Sequence, residues 1–127
     1  MPFTCDQELT ITQTGEQTWR LEQEVAYFDS KYIEDIVVPK GFTCDGSSIP
    51  SFAWQLVGHP LYGNSAICGF LHDYLYRVRV NRLKADQAFL EAHTDLGTSA
   101  WKRSVYYWAV RTFGWIPYMR YKNGQTD

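Results

Sequence analysis

The spacing of hydrophobic positions along the chain changes character twice. From residue 8 to 38 it alternates: "ELTITQT" sets Leu9 and Ile11 among polar neighbours, and "TWRLEQEVAY" places Trp19, Leu21, Val25 and Tyr27 on one face of an extended segment. Gly15 supplies one turn and Asp29 with Ser30 another. "YIEDIVV" then reads as a third strand that Pro39 stops, because proline has no N–H to give a ladder. This stretch predicts a small antiparallel meander with one wet face.

Between residues 39 and 64 the alternation is lost, and Pro39, Gly41, Gly46, Pro50, Gly58, Pro60 and Gly63 predict a long irregular connection. A loop of that length in a compact domain more often carries function than merely joins elements. After it the period becomes helical. Ser65 or Asn64 caps a helix to about Val80, and Asn81 caps a second with the stripe Ala85, Ala88, Phe89, Ala92 and Leu96, closed by Gly97. A third helix runs from about Ser99 to Phe113 and ends at Gly114. It is apolar nearly all round, which predicts a buried helix. The expected class is α+β in a single domain over residues 1–127, with sheet at 8–38, loop at 39–64, helical bundle at 65–114 and a tail at 115–127.

Composition narrows the partners. The chain has 127 residues, and its 12 basic and 14 acidic residues give a net charge of −2. That removes the overall positive field that holds a nucleic-acid backbone, so no nucleic acid is expected. No run approaches the roughly 20 apolar residues of a membrane span, and "MPFTCDQELT" lacks the basic start and apolar stretch of an export signal. Cys5, Cys44 and Cys68 are odd in number and far apart, which argues against a disulfide framework and for synthesis in a reducing cytoplasm. Aromatic residues make up 17% of the chain. Trp54, Trp101, Trp108 and Trp115 could line an acyl pocket, but at helical spacing they read first as core.

The chemistry concentrates in "CGFLHDYLYR". His72 and Tyr76 are one helical turn apart and share a face, whereas Asp73 is rotated by about 100°. His72 lies eight residues before the turn between the first two helices and Asp86 about five after it. At about 1.5 Å of rise per residue, an antiparallel hairpin brings them to similar height. A carboxylate bound to one imidazole nitrogen fixes the tautomer and leaves the other nitrogen to take a proton from water. Tyr76 could hold the same carboxylate through its hydroxyl. Asp73 points elsewhere, towards a loop in which "GFTCDGSSIP" offers Asp45 and backbone carbonyls, the hard oxygen ligands that calcium prefers. Cys68, His72, Asp86 and His93 also have ligand types suited to zinc. Set against that is a plainer reading, with Cys68 as core and His93 on the surface. Arg77, Arg79, Arg82 and Lys84 cluster at the hairpin turn, where cations suit a helix end.

"HDYLYR", "RLKADQAFLEAH" and "SVYYWAVRTFG" resemble the catalytic hairpin of secreted phospholipases A₂, above all the small bacterial and fungal enzymes, over residues 68 to 114. The resemblance implies His72 as general base, Asp86 as its orienting carboxylate, Tyr76 as support, Asp73 as a calcium ligand and the Asp45 loop in place of the calcium loop. Those enzymes are exported and rich in disulfides, and their glycine-rich calcium loop is absent from this chain. Over about residues 19 to 114, "VPKGFTCDGSSIPSFAW", the "HDYLY" helix and "KADQAF" resemble a domain of unknown function common in tailed bacteriophages and prophages. Cys44 stands where that family commonly has threonine.

These resemblances imply a phage-encoded, calcium-dependent lipid ester hydrolase that acts on bacterial membrane phospholipid in lysis or host penetration. It would be made in the host cytoplasm and could travel with the virion. The alternative from another class is a non-catalytic virion or tail-associated protein that binds other phage structural proteins and keeps His72 and Asp86 as a satisfied buried pair. A zinc-dependent cell-wall hydrolase is the weaker third reading.

Overall fold

A computed structural model of the chain describes residues 11–13, 18–44 and 65–122. Within them, five short strands come first: β1 (Ile11–Gln13), β2 (Trp19–Leu21), β3 (Val25–Tyr27), β4 (Ile36–Val38) and β5 (Thr43–Cys44). Four helices follow: α1 (Ser65–Arg77), α2 (Arg82–Asp95), α3 (Ala100–Phe113) and α4 (Trp115–Lys122). The architecture is α+β, as the two periods of the sequence predict.

The strand region is not one meander. "TWRLEQEVAY" breaks after Leu21 into β2 and β3, which belong to different sheets: β2 lies between β1 and β5, and β3 pairs with β4. All pairings are antiparallel, with Trp19 opposite both Gln13 and Cys44, and Val25 opposite Val38. Three polar residues in succession, 22–24, interrupt the strand, and Arg20 Nε donates to Glu22 Oε1 at 2.6 Å on the outer side. The alternation itself survives, because Trp19, Leu21, Val25 and Tyr27 are all buried. The expected third strand shrinks to Ile36–Val38. Upstream of it, Ser30 Oγ accepts from the backbone N–H groups of Tyr32 and Ile33, and Asp35 Oδ1 from that of Asp29, so side chains take donors a ladder would have used.

Strand β5 falls where the sequence predicts loop. The chain reaches it through a tight turn in which the Phe42 N–H donates to Pro39 O at 3.2 Å and Gly41 takes φ +90°, a conformation that favours glycine. Bonds from Gly41 N to Leu21 O and from Leu21 N to Phe42 O then stitch the turn to β2. The rest of the expected loop, including Asp45 and Trp54, lies outside the described residues.

Helix α1 is the central one. Ala66, Cys68, Phe70, Leu71, His72, Asp73, Leu75 and Tyr76 are all buried, so it is covered on nearly every side. It stops at Arg77, short of Val80, because Arg79 turns left-handed at φ 66° while Arg79 N and Val80 N close back on the carbonyls of Tyr76 and Leu75. After four intervening residues α2 begins, capped by Asn81, whose side chain accepts from Lys84 N at 3.2 Å. Its inner stripe of Ala85, Ala88, Phe89 and Ala92 is mostly small, which lets the neighbouring helices approach closely.

Two expectations fail beyond this point. Helix α3 is not buried all round: Tyr106, Ala109 and Val110 face the core, but Trp101 and Trp108 are exposed, as is Trp115 at the start of α4. Its apolar content is therefore surface as much as core. The second failure is the tail, since residues 115–122 form α4. Pro117 is tolerated in the first turn, where its missing N–H would have been orphaned anyway. Tyr118 fixes α4 to the α1–α2 turn, donating from its hydroxyl to Val80 O at 3.1 Å and accepting at its carbonyl from Arg79 Nη1 at 2.8 Å.

Candidate functional site

The helical hairpin places Asp86 of α2 opposite His72 and Tyr76 of α1. His72 Nε2 lies 2.6 Å from Asp86 Oδ1, and the Tyr76 hydroxyl donates to the same oxygen at 2.5 Å. The other carboxylate oxygen, Oδ2, accepts from Arg111 Nη1 of α3 at 2.8 Å. One carboxylate thus gathers three donors from the two helices beside its own. His72 and Asp86 are both 0% exposed, while Arg111 is half-buried. The imidazole packs at a tilt against Tyr76 and Phe89, whose ring centroids lie 4.2 and 4.7 Å from its own.

Electrostatics follow from that packing. Burial alone would push the Asp86 carboxyl up, but the hydrogen bond and charge of His72, then the bonds from Tyr76 and Arg111, outweigh it and hold the group below its ordinary value. Asp86 is therefore an anion at neutral pH. The proton it shares with His72 sits on Nε2, and Nδ1 is the basic nitrogen of the ring. Tyr76 is pushed up by burial and then by the neighbouring Asp86, so its phenol stays a donor.

Arg111 is the site residue that sequence reasoning missed. A lone basic residue in the last turn of a helix reads as a complement to the helix dipole, and nothing in its spacing names Asp86. Arg82 reads in the sequence as one of the cations that cluster at the hairpin turn. In the structure its guanidinium donates to the carbonyls of Val110 at 2.9 Å and Arg111 at 2.5 Å, capping α3 and steadying the backbone that presents Arg111.

Gly114 does more than end a helix. A Cβ built there would stand 2.6 Å from the Tyr76 hydroxyl and 2.4 Å from Val110 O, so the residue is glycine because the phenol needs that space. Gly114→Ala should lower stability by about 1–3 kcal/mol through overpacking, read as a fall in the urea midpoint at unchanged slope. An unchanged midpoint would mean that Tyr76 does not press on this backbone.

His93 was expected at the surface, and it is buried at 1% exposure. Its ring stacks on Tyr106 at 4.8 Å and 11°, and its Nδ1 is 2.9 Å from Thr98 Oγ1, within the turn that closes α2. Burial, then repulsion from His72, pushes it down to about 4. Unfolded, the same imidazole takes its proton near 6.5, so between these values the unfolded chain binds more protons. Stability should be full above about pH 6.5 and fall by about 3 kcal/mol as pH drops to about 4. Urea titrations across that window check this, and the His93→Phe variant should flatten the slope; an equal slope in the variant would place the linkage elsewhere.

The metal candidates come out differently. Asp73 is buried on α1, and the bonds to Asp86 come from His72, Tyr76 and Arg111; Asp45, the suggested companion of Asp73, lies outside the described residues. Among the described residues no three His, Cys, Asp or Glu side chains converge to hold a metal, so Cys68, His72, Asp86 and His93 do not form a zinc shell. Burial also pushes the Cys68 thiol well above its ordinary range, away from the thiolate that zinc requires. No helix among the described residues is long and apolar enough to cross a membrane.

Over 79 residues the chain is 34% identical to an uncharacterized protein, y4jT, of Sinorhizobium fredii (strain NBRC 101917 / NGR234). The match covers 61% of this chain and 23% of that protein, so the chain spans about a quarter of its relative's length. No solved structure matches it. Residues 19–110, from β2 through the helical hairpin to Val110 in α3, match the model of a protein family of unknown function, and the chain belongs to that family, DUF1353.

Proposed function

We propose that this protein is a phospholipase A₂-like, metal-dependent lipid ester hydrolase, encoded by a bacteriophage or prophage and acting on bacterial membrane phospholipid in lysis or host penetration. The observation that carries the reading is the Asp86 carboxylate, which holds His72 by Nε2 and receives the Tyr76 hydroxyl on the same oxygen. That arrangement prepares Nδ1 to take a proton from water as the water oxygen bonds to the ester carbonyl carbon. The tetrahedral adduct then expels the alcohol, whose oxygen receives the proton from Nδ1. Asp86 stabilises the imidazolium between these steps, and Tyr76 and Arg111 keep the carboxylate fixed and ionised. A calcium ion held by Asp73, with Asp45 and its neighbouring carbonyls, would supply polarisation of the carbonyl and stabilisation of the oxyanion. The phage setting rests on the resemblance of "VPKGFTCDGSSIP" and the "HDYLY" helix.

One observation favours a second reading, a non-catalytic virion or tail-associated protein. His72 and Asp86 are wholly enclosed, and a buried pair with every donor matched can serve packing alone.

The test is acid release from a short-chain phospholipid kept below its micelle-forming concentration, with calcium, with chelator, and with calcium restored. Release that calcium sustains is expected. No release by folded protein in any of the three conditions would overturn the hydrolase and leave the structural reading.

A further inference from the structure

The third helix and its continuation carry a surface that the proposed chemistry does not use. Trp101, Trp108 and Trp115 recur every seven residues and are 56%, 65% and 55% exposed, with Ile116 and Met119 exposed beside them. Their opposite side is the packed one: Tyr106, Val110, Gly114 and Pro117 are buried. Hydrogen bonds from Gly114 N to Val110 O and from Tyr118 N to Gly114 O carry the ladder from α3 into α4, so the two helices present one apolar strip. At about 1.5 Å per residue the strip is roughly 27 Å long.

Charge says what covers it. Residues 99 to 122 contain no acidic residue and five basic ones, of which Arg111 is spent on Asp86 and Lys102, Arg103, Arg120 and Lys122 remain, while the rest of the chain has seven basic against fourteen acidic residues. Lys102 Nζ stands 5.7 Å from the Trp101 ring, which joins cation and aromatic on one side of the helix. A chain of net negative charge thus carries its exposed tryptophans on a segment of sequence that is wholly basic in its charges. Indole is the side chain most at home between hydrocarbon and headgroup, and a helix with such a face lies flat in that zone, drawn there by anionic lipid.

We propose that the Trp101–Met119 strip is the face by which this protein docks onto an anionic lipid bilayer. The proposal rests on the lipid-ester reading for its purpose, while the docking itself is independent of His72. The experiment uses the full chain with vesicles of phosphatidylcholine alone or with phosphatidylglycerol, followed by cosedimentation and tryptophan emission. Binding to the phosphatidylglycerol vesicles with a blue shift is expected, weaker by about tenfold or more on phosphatidylcholine alone, in high salt, and in Trp108→Ser/Trp115→Ser. His72→Asn should bind like the wild type, and the double tryptophan variant should still hydrolyse dispersed short-chain lipid. Docking without hydrolysis would therefore sink only the catalytic reading. Hydrolysis of dispersed lipid without vesicle binding would sink only the docking face. Vesicle binding unchanged by the tryptophan substitutions, or a blue shift on self-association without lipid, would also overturn it.

Discussion

Asp86→Ala is expected to destabilise the protein by about 3–5 kcal/mol, the cost of breaking a buried ion pair from one side. The substitution leaves the His72 Nε2–H and the Tyr76 hydroxyl without an acceptor where water does not reach, because both side chains are fully buried. Arg111 loses its carboxylate as well, though it is half-exposed and can turn to solvent. A domain of this kind has about 5–15 kcal/mol of stability in all, so the variant should sit near the edge of folding. Urea denaturation measures it. Asp86→Asn, which keeps the volume and one acceptor, should lose less; a loss below about 1 kcal/mol in the alanine variant would mean that water or another group already supports these donors.

His72→Gln is expected to act on activity instead. Removing a general base typically lowers the rate by about 10²–10⁴-fold, while the glutamine amide nitrogen reaches the place of Nε2 and can still donate to Asp86, so the stability change should stay within about 1.5 kcal/mol. Release of fatty acid per folded molecule is the measure, with urea midpoints alongside. The structural reading predicts the reverse: a loss of stability and no hydrolysis to lose.

The hairpin was legible because its determinants are local. Asn81 as a cap and the period of Ala85, Ala88, Phe89 and Ala92 locate the second helix, and distances of eight and about five residues from the turn then bring His72 and Asp86 to similar height. What stayed hidden depends on tertiary placement. Arg111 meets Asp86 only after α3 has docked, and its spacing carries no trace of that contact. Trp101 and Trp108 look like core by composition, yet the side of α3 that faces inward is decided by Tyr106 and Val110. The extended segment at 19–27 has the alternation of one strand, and only its pairing partners divide it between two sheets. His93 reads as a surface residue because a lone histidine near a helix end gives no sign of the Tyr106 ring that covers it.

Everything proposed for the site turns on an ionised Asp86 that holds His72 through a protonated Nε2 and makes Nδ1 the base. Nitrogen-detected NMR of the His72 imidazole, assigned with His72→Asn, reads the tautomer directly. At neutral pH the expected result is a proton on Nε2, shifted downfield by its bond to the carboxylate, and no proton on Nδ1. A proton found on Nδ1, with Nε2 accepting from a protonated Asp86, would contradict it.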